Sequence, residues 1–157
     1  MKPRTMTLCI VHKDNKVLLD MKKRGFGEGR WNGFGGKVLP QETIEQGMLR
    51  ECLEEGKFVP KDFTKFAVFN FNFPAGKQKL NCVVHVFKAL DFDRQPQETE
   101  EMKPHWFAIE NIPYDNMWSD DKIWLPLFLQ GKKLKGEFYF NEDDELGKHY
   151  LQEVDNF

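Results

Sequence analysis

The chain has 157 residues, 40% hydrophobic and 31% charged, a balance typical of one soluble domain large enough to bury a core. The net charge of -2 gives no basic surface for polymeric nucleic acid, and no apolar run approaches the ~20 residues that span a membrane. The three cysteines, Cys9, Cys52 and Cys82, lack metal or redox spacing, which indicates free thiols in a reducing compartment. We expect a cytoplasmic protein, with the nucleus or mitochondrion as alternatives. We also expect a monomer.

The first predicted elements form a hairpin. Apolar-rich segments at residues 5–11 and 16–21 flank the turn sequence Lys13-Asp14-Asn15. Residues 25–36 then carry six of the 12 glycines, interleaved with aromatic side chains. This composition predicts a loop that leads into the next element.

A helix is predicted from residue 44 to about residue 55. Thr43 and Gln46 have the spacing of a capping box, in which the hydroxyl meets a free backbone N–H and the amide reaches back. The apolar residues expected to pack inward are Met48, Leu49, Cys52 and Leu53.

Three carboxylates share one face of this helix, beside the apolar arc: Glu51, Glu54 and Glu55. The like-charged pair Glu51 and Glu55 costs an isolated helix roughly 0.2–0.5 kcal/mol. Arg50 precedes Glu54 by four residues, the weaker orientation for an ion pair, and cannot neutralise all three acids. The cluster is either a solvated face or a set of oxygen ligands for a hard divalent cation, and its place beside the packed face favours the cation.

Further strands are predicted at residues 66–73, 82–89 and 105–109, the first from the alternation of Phe69, Phe71 and Phe73. A short helix is predicted at 120–130, bent or interrupted by Pro126, followed by edge strands at 137–140 and 149–154. No repeat or linker divides the chain. The pattern predicts one domain, residues 1–157, with α/β layers around a mixed sheet.

The glycines do not form a phosphate-binding P-loop, because Val38 follows Gly36-Lys37 where Ser or Thr is required. Instead Gly36, five residues, Glu42, seven residues and Arg50-Glu51-Cys52-Leu53-Glu54-Glu55 resemble the Nudix box of hydrolases that cleave nucleoside diphosphates linked to another group. The segments MKKRGFGEGRWNGFGGKV, VVHVF, EMKPHWF and MWSDDKIWLPLFLQ extend this resemblance over nearly the whole chain, to the oxidised purine nucleoside triphosphatases of that family.

The resemblance implies a Nudix α/β/α sandwich with a mixed β-sheet, and a Nudix box at residues 36–58. It also implies Mg²⁺-dependent hydrolysis, with Mn²⁺ as an alternative ion, of nucleotides such as 8-oxo-dGTP and 2-hydroxy-dATP to monophosphate and pyrophosphate. The alternatives are a Nudix hydrolase of another nucleoside diphosphate derivative, or a catalytically silent nucleotide-binding module. Intact box residues argue against the silent module, because binding alone does not require them.

By resemblance, the catalytic residues are Glu51, Glu54 and Glu55, with Arg50 orienting a box carboxylate. The implied metal ligands are the Gly35 carbonyl, these three glutamates and Glu101. The implied nucleotide-binding residues are Thr7, Lys22, Phe26, Asn32, Phe34, Gly35, Gly36, Lys37, Phe71, Phe73, Trp118, Ser119, Asp120 and Asp121. Without the resemblance, Phe69, Phe71 and Phe73 indicate core as a set, although Phe71 and Phe73 can serve both roles. Trp118 to Asp121 then indicate the start of a helix with acids in its first turn.

One position departs from the box. Lys57 stands where the pattern has glycine, and Gly56 comes one place early. Either Lys57 adopts a left-handed backbone, strained by roughly 1 kcal/mol or more, or the helix ends sooner on Gly56. A longer loop at residues 74–79 is a milder difference.

Overall fold

The N-terminal hairpin is present in the computed structural model, which describes residues 2–75 and 81–157. Strand β1 (Arg4–Lys13) pairs antiparallel with β2 (Lys16–Lys22). The turn residues Asp14 and Asn15 have φ of 54° and 62°, the left-handed values that tight hairpin turns require. Most of the predicted 74–79 loop lies outside the described residues.

In the described ranges, eight strands form one mixed sheet. Seven of them follow the order β3-β2-β1-β5-β4-β7-β8, and the eighth, β6, also pairs with β2. The remaining strands are β3 (Trp31–Asn32), β4 (Pro60–Asn72), β5 (Cys82–Phe92), β6 (Met102–Ala108), β7 (Leu134–Phe140) and β8 (Leu146–Glu153). The pairs β1–β5 and β4–β7 are parallel, and the others are antiparallel. The prediction of an edge strand at 137–140 is wrong, because β7 lies between β4 and β8; β8 is at the edge as expected.

Helix α1 (Ile44–Gly56) begins at the predicted capping box. The Gln46 backbone N–H donates to Thr43 Oγ1 at 3.1 Å, and the Thr43 N–H donates to Gln46 Oε1 at 2.9 Å. Met48 and Cys52 are fully buried, but Leu53 is 45% exposed. The prediction for Leu53 is wrong because it lies about 100° around the helix from Cys52, at the margin of a narrow contact face.

Helix α2 (Asp121–Leu129) contains Pro126 without ending there. Proline removes one N–H and its bond to the carbonyl four residues earlier. The turn still closes after it, where the Gln130 N–H donates to the carbonyls of Pro126 and Leu127 at 3.2 and 3.1 Å. Two short 3-10 helices, Ile109–Asn111 and Tyr114–Asn116, precede α2.

The two helices cover opposite faces of the sheet. Alternation along β1 sends Ile10 to a core that includes Trp124 and Phe128 of α2, and Cys9 to a second core that includes Met48 and Cys52 of α1. This is the α/β/α layering expected from the sequence. In the described part of the chain, no helix is both long and apolar enough to cross a membrane.

Candidate active site

A cavity of about 480 Å³ opens where β1, β2 and β5 approach the start of α2. This volume suits a nucleotide-sized ligand. The predicted nucleotide-binding residues that line it are Thr7, Lys22, Phe26, Asn32, Gly35, Gly36, Phe71, Phe73, Trp118, Asp120 and Asp121. The fold therefore gathers side chains from distant parts of the sequence into one space.

Aromatic rings form one wall of the cavity. The Phe26 and Trp118 ring centroids are 5.1 Å apart, and Phe73 stacks on Phe140 at 5.3 Å with an interplanar angle of 18°. The Arg30 guanidinium carbon lies 4.2 Å from the Trp118 ring centroid, a cation–π contact. Trp118 is thus held among neighbours at the point where a flat base could stack.

Three predicted nucleotide-binding residues lie outside the cavity lining. Phe34 is fully buried in the second core, its ring centroid 4.9 Å from that of Phe58, so its side chain does not reach the cavity. Ser119 Oγ accepts from the Leu146 N–H at 2.9 Å and thereby holds the start of β8. Lys37 contributes its carbonyl, which accepts from Arg50 Nη2 at 2.9 Å.

Gly35 and Gly36 run beside β1, where the Thr7 N–H donates to the Gly36 carbonyl at 2.8 Å. A Cβ on Gly35 would lie 1.9 Å from the Thr7 carbonyl oxygen, and one on Gly36 would lie 2.6 Å from the Glu51 carboxyl carbon. Only glycine permits the approach to the β1 backbone at Gly35, whereas a side chain at Gly36 would displace the Glu51 carboxyl group. The pair brings the backbone close to the acidic face of α1.

Arg50 organises the acidic face. Its Nη1 donates to Glu51 at 2.9 Å and to Glu54 at 3.1 Å, while Nε and Nη2 both donate to Glu42. The hydrogen bonds from Arg50 and the Leu39 N–H hold the Glu42 pKa below its ordinary value. Arg50 therefore pairs with Glu42, Glu51 and Glu54 and makes no hydrogen bond to Glu55.

Glu55 is the box glutamate that lines the cavity. Its Oε1 accepts from the Gly35 N–H at 2.8 Å. Burial raises the Glu55 pKa to about 8 despite that hydrogen bond, and the nearby charges of Glu51 and Asp20 raise it further. Burial also raises the Glu51 pKa. Added positive charge beside Glu55 would favour its ionised form.

The residues around α1 fit a hard divalent cation in donor type, because carboxylate oxygens are what such ions prefer. Within residues 2–75 and 81–157, no three acidic, histidine or cysteine side chains already converge on one point where a metal ion would be held. Glu101 is exposed outside the cavity lining, and its Oε1 accepts from Arg24 Nη2 at 3.3 Å. The α1 glutamates thus lie beside Gly35 without forming a finished coordination shell, and Glu101 does not join them in this structure.

At the other end of the cavity, Asp120 and Asp121 are each only 3% exposed. Asp120 Oδ2 accepts from Trp124 Nε1 at 2.7 Å. The helix start predicted here is confirmed, because α2 begins at Asp121 with that acid in its first turn, but Asp120 makes no side-chain cap. Burial raises the Asp120 pKa to about 6; burial and the charge of Asp120 raise the Asp121 pKa well above its ordinary value. This end of the cavity can both donate and accept hydrogen bonds near neutral pH.

The cavity lining also includes residues that the sequence did not predict, among them the charged side chains Asp20 and Arg30. Asp20 is 1% exposed, and in the described part of the chain neither of its carboxyl oxygens has a hydrogen-bond partner. Burial raises its pKa to about 8, opposed by the charge of Lys23. The signal available in the sequence was an acidic residue directly after the apolar run Val17-Leu18-Leu19.

Comparison with known proteins gives consistent matches. A family model described as the NUDIX domain matches residues 1–128. The chain is 46% identical over 154 residues to the oxidized purine nucleoside triphosphate hydrolase of Mus musculus, covering 98% of this chain and 97% of that one. It is 44% identical over 153 residues to the Danio rerio protein of the same name, again covering 98% and 97%. A crystal structure of the MutT protein from Bacillus halodurans matches with a TM-score of 0.81 and 27% identity, covering 95% of this chain and 97% of that one.

Proposed function

The chain belongs to the Nudix family, and on that premise we propose that it hydrolyses oxidised purine nucleoside triphosphates to monophosphate and pyrophosphate, with Mg²⁺ as cofactor. One observation carries the proposal: a single cavity holds Trp118 and the buried pair Asp120 and Asp121 together with Gly35 and Glu55. The two vertebrate relatives named for this activity, similar over nearly their whole length, support it.

The aromatic end of the cavity would bind the base. Stacking on an aromatic side chain such as Trp118 is worth roughly 1–3 kcal/mol per base. Asn32 would present an amide to the base edge, although its Oδ1 already accepts from the Gly33 N–H at 2.8 Å. Asp120 and Asp121 would supply the donor and acceptor groups that distinguish oxidised from normal purines.

The glycine and glutamate end would receive the phosphates. Glu51, Glu54 and Glu55, with the Gly35 carbonyl, would hold the cation, and Glu101 would join them on releasing Arg24. A bound Mg²⁺ would offset phosphate charge and ease the deprotonation of water. Arg50 would keep the Glu51 carboxylate oriented through its 2.9 Å hydrogen bond.

Glu55 is the residue we expect to take a proton during the reaction, because it lines the cavity and is anchored by the Gly35 N–H. Its raised pKa would fall once positive charge is bound beside it, which makes its carboxylate the available base at neutral pH. The side chain stays aimed by the backbone contact throughout.

The proposal treats residues 1–157 as one Nudix domain, with the box at 36–58, acting as a cytoplasmic monomer. The family match over residues 1–128 and the pairing of β7 with β4 in one sheet support a single domain. Three free thiols are in keeping with a reducing compartment.

A substrate panel with Mg²⁺ tests the function. We expect 8-oxo-dGTP or 2-hydroxy-dATP to give monophosphate and pyrophosphate with a kcat/KM well above that of dGTP, a dinucleoside polyphosphate or a nucleotide sugar. Preference for either of the last two would favour another Nudix activity. Binding of nucleotides without any turnover would favour a silent module.

The box glutamates provide the matched variants for this assay. Glu54→Gln and Glu55→Gln should each lower kcat by orders of magnitude while the melting temperature changes little, because glutamine has the size of glutamate and keeps one acceptor oxygen. Glu45→Gln, on an exposed part of the first turn of the same helix, is the control and should change neither. Retained activity with a lower melting temperature would show that the box acids are structural.

A further inference from the structure

Unpartnered polar atoms are concentrated at the cavity. Within the described ranges, the buried side-chain atoms without a hydrogen-bond partner are Thr7 Oγ1, Asp20 Oδ1 and Oδ2, His85 Nδ1 and Asp121 Oδ2. All except His85 Nδ1 belong to residues that line the cavity. Buried polar groups are normally paired, so these atoms point to a ligand that completes them.

Asp20 stands out because both of its oxygens are unpartnered. It lies inside β2, opposite Asn32 on β3 and Pro104 on β6, so the backbone is paired on both sides. The period of a strand places it on the same face as Lys22, which also lines the cavity. A local backbone movement therefore cannot carry the carboxyl group out to water.

No structural role accounts for this carboxyl group. Across the described residues it forms no ion pair, and it sits in mid-strand, where no turn or helix end needs its oxygens. The charge of Lys23 opposes the burial effect only partly. A carboxylate in this position would repel the phosphates of a nucleotide, but a neutral carboxyl group would not.

We propose that Asp20 is a specificity-determining residue whose neutral carboxyl group pairs with adjacent N–H and C=O groups on the base of the bound nucleotide. This inference rests on the proposed function and adds a base contact to it. A neutral carboxyl group carries an O–H donor beside a C=O acceptor. It can therefore donate to a C=O of the base and accept from the adjacent N–H. Oxidation at C8 creates such an edge on a purine, with N7–H beside C8=O. The raised pKa of Asp20 is consistent with a neutral group at pH 7.

Two substitutions of similar size separate the roles of Asp20. Asp20→Asn keeps an adjacent donor and acceptor, whereas Asp20→Leu removes both. The readout is the affinity for 8-oxo-dGMP without added metal at pH 7, measured by calorimetry, together with the melting temperature. Asp91→Asn is the control, because it removes a carboxylate that pairs with Lys13 at 2.6 Å near the far end of β5.

We expect Asp20→Asn to retain binding and Asp20→Leu to weaken it by about tenfold or more, the size of a lost hydrogen-bonded pair. We also expect the melting temperature of the leucine variant to hold or rise, because an unpartnered buried acid is removed. Equal affinities for the wild-type and Asp20→Leu proteins would overturn this inference alone. A leucine variant with lower stability and unchanged affinity would overturn it too, in favour of a structural role. A wild-type protein that binds no 8-oxo-dGMP and hydrolyses no oxidised triphosphate would overturn the proposed function as well.

Discussion

Asp20 and Asp120 are both buried carboxyl groups, but their surroundings differ. Asp120 accepts a hydrogen bond from Trp124, which stabilises its charged form, and its pKa rises only to about 6. Asp20 has no such donor among the described residues, and its pKa rises to about 8. Similar burial thus yields two acids that change charge at different pH values.

The Asp20 carboxyl group should make the protein less stable as pH rises. Its folded pKa exceeds the unfolded value, so its contribution is fully present below pH 4 and is lost as pH rises through about 8. Each unit of pKa difference corresponds to about 1.4 kcal/mol. Asp20→Asn should therefore flatten the decline in unfolding free energy between pH 4 and pH 8, measured by urea denaturation. Parallel profiles for the two proteins would mean that Asp20 ionises without penalty in the folded state.

Asp120→Asn tests whether the acidic pair selects the base. The asparagine side chain does not ionise and cannot exchange a proton with Asp121. The pair therefore loses one carboxylate oxygen that could accept a hydrogen bond from an oxidised purine. We expect kcat/KM for 8-oxo-dGTP to fall much more than for dGTP, by roughly 1–3 kcal/mol of transition-state binding, with the Mg²⁺ dependence unchanged. Equal losses on the two substrates, in steady-state assays, would leave the pair without a role in selectivity.

At the scale of single elements, the end of α1 distinguishes the two conformations that the sequence allowed, a left-handed backbone at Lys57 or an earlier helix end on Gly56. Lys57 adopts φ 60° and ψ 33°, and its N–H donates to the Leu53 carbonyl at 3.1 Å. Gly56 stays helical, and the position has no room for a side chain, because a Cβ there would lie 2.7 Å from Phe34 and 2.8 Å from Phe58. The glycine is needed for packing, and the left-handed cap falls on lysine.

Lys57→Gly should therefore stabilise the protein by about 1 kcal/mol, because glycine adopts the left-handed conformation without a Cβ penalty. The greater flexibility of an unfolded glycine offsets part of this gain. Chemical denaturation of the two proteins measures the difference directly. A less stable variant would mean that the lysine side chain contributes more than its backbone strain removes.

Local patterns predicted elements better than their places in the sheet. The capping box located the start of α1, and alternating phenylalanines located β4, because each signal depends on neighbouring residues. The two-residue strand β3 and the interior place of β7 depend on pairing between distant segments, which no local pattern encodes.

In the candidate site, too, local motifs were predictable, but contacts between distant segments were not. The motif spacing identified the α1 glutamates and the glycines, and with the residues that the resemblance implied it accounts for half of the cavity lining. Phe34 was misassigned because the segment that pairs with Cys9 turns its ring into the second core. Asp20 was missed because a lone acid in a strand gives no sign of whether its neighbours leave it unpartnered.

At the scale of the whole molecule, the parallel pairings of the sheet also govern when the cavity can form. β1 joins β5, with Thr7 beside His85, and β4 joins β7 across a further long separation. Such pairings close large loops before their contacts form, which slows folding. The β1–β2 hairpin can form early, but the cavity needs Met6 from one part of the chain and Phe140 from another. During synthesis, therefore, no complete binding pocket exists until β7 has left the ribosome and joined the sheet.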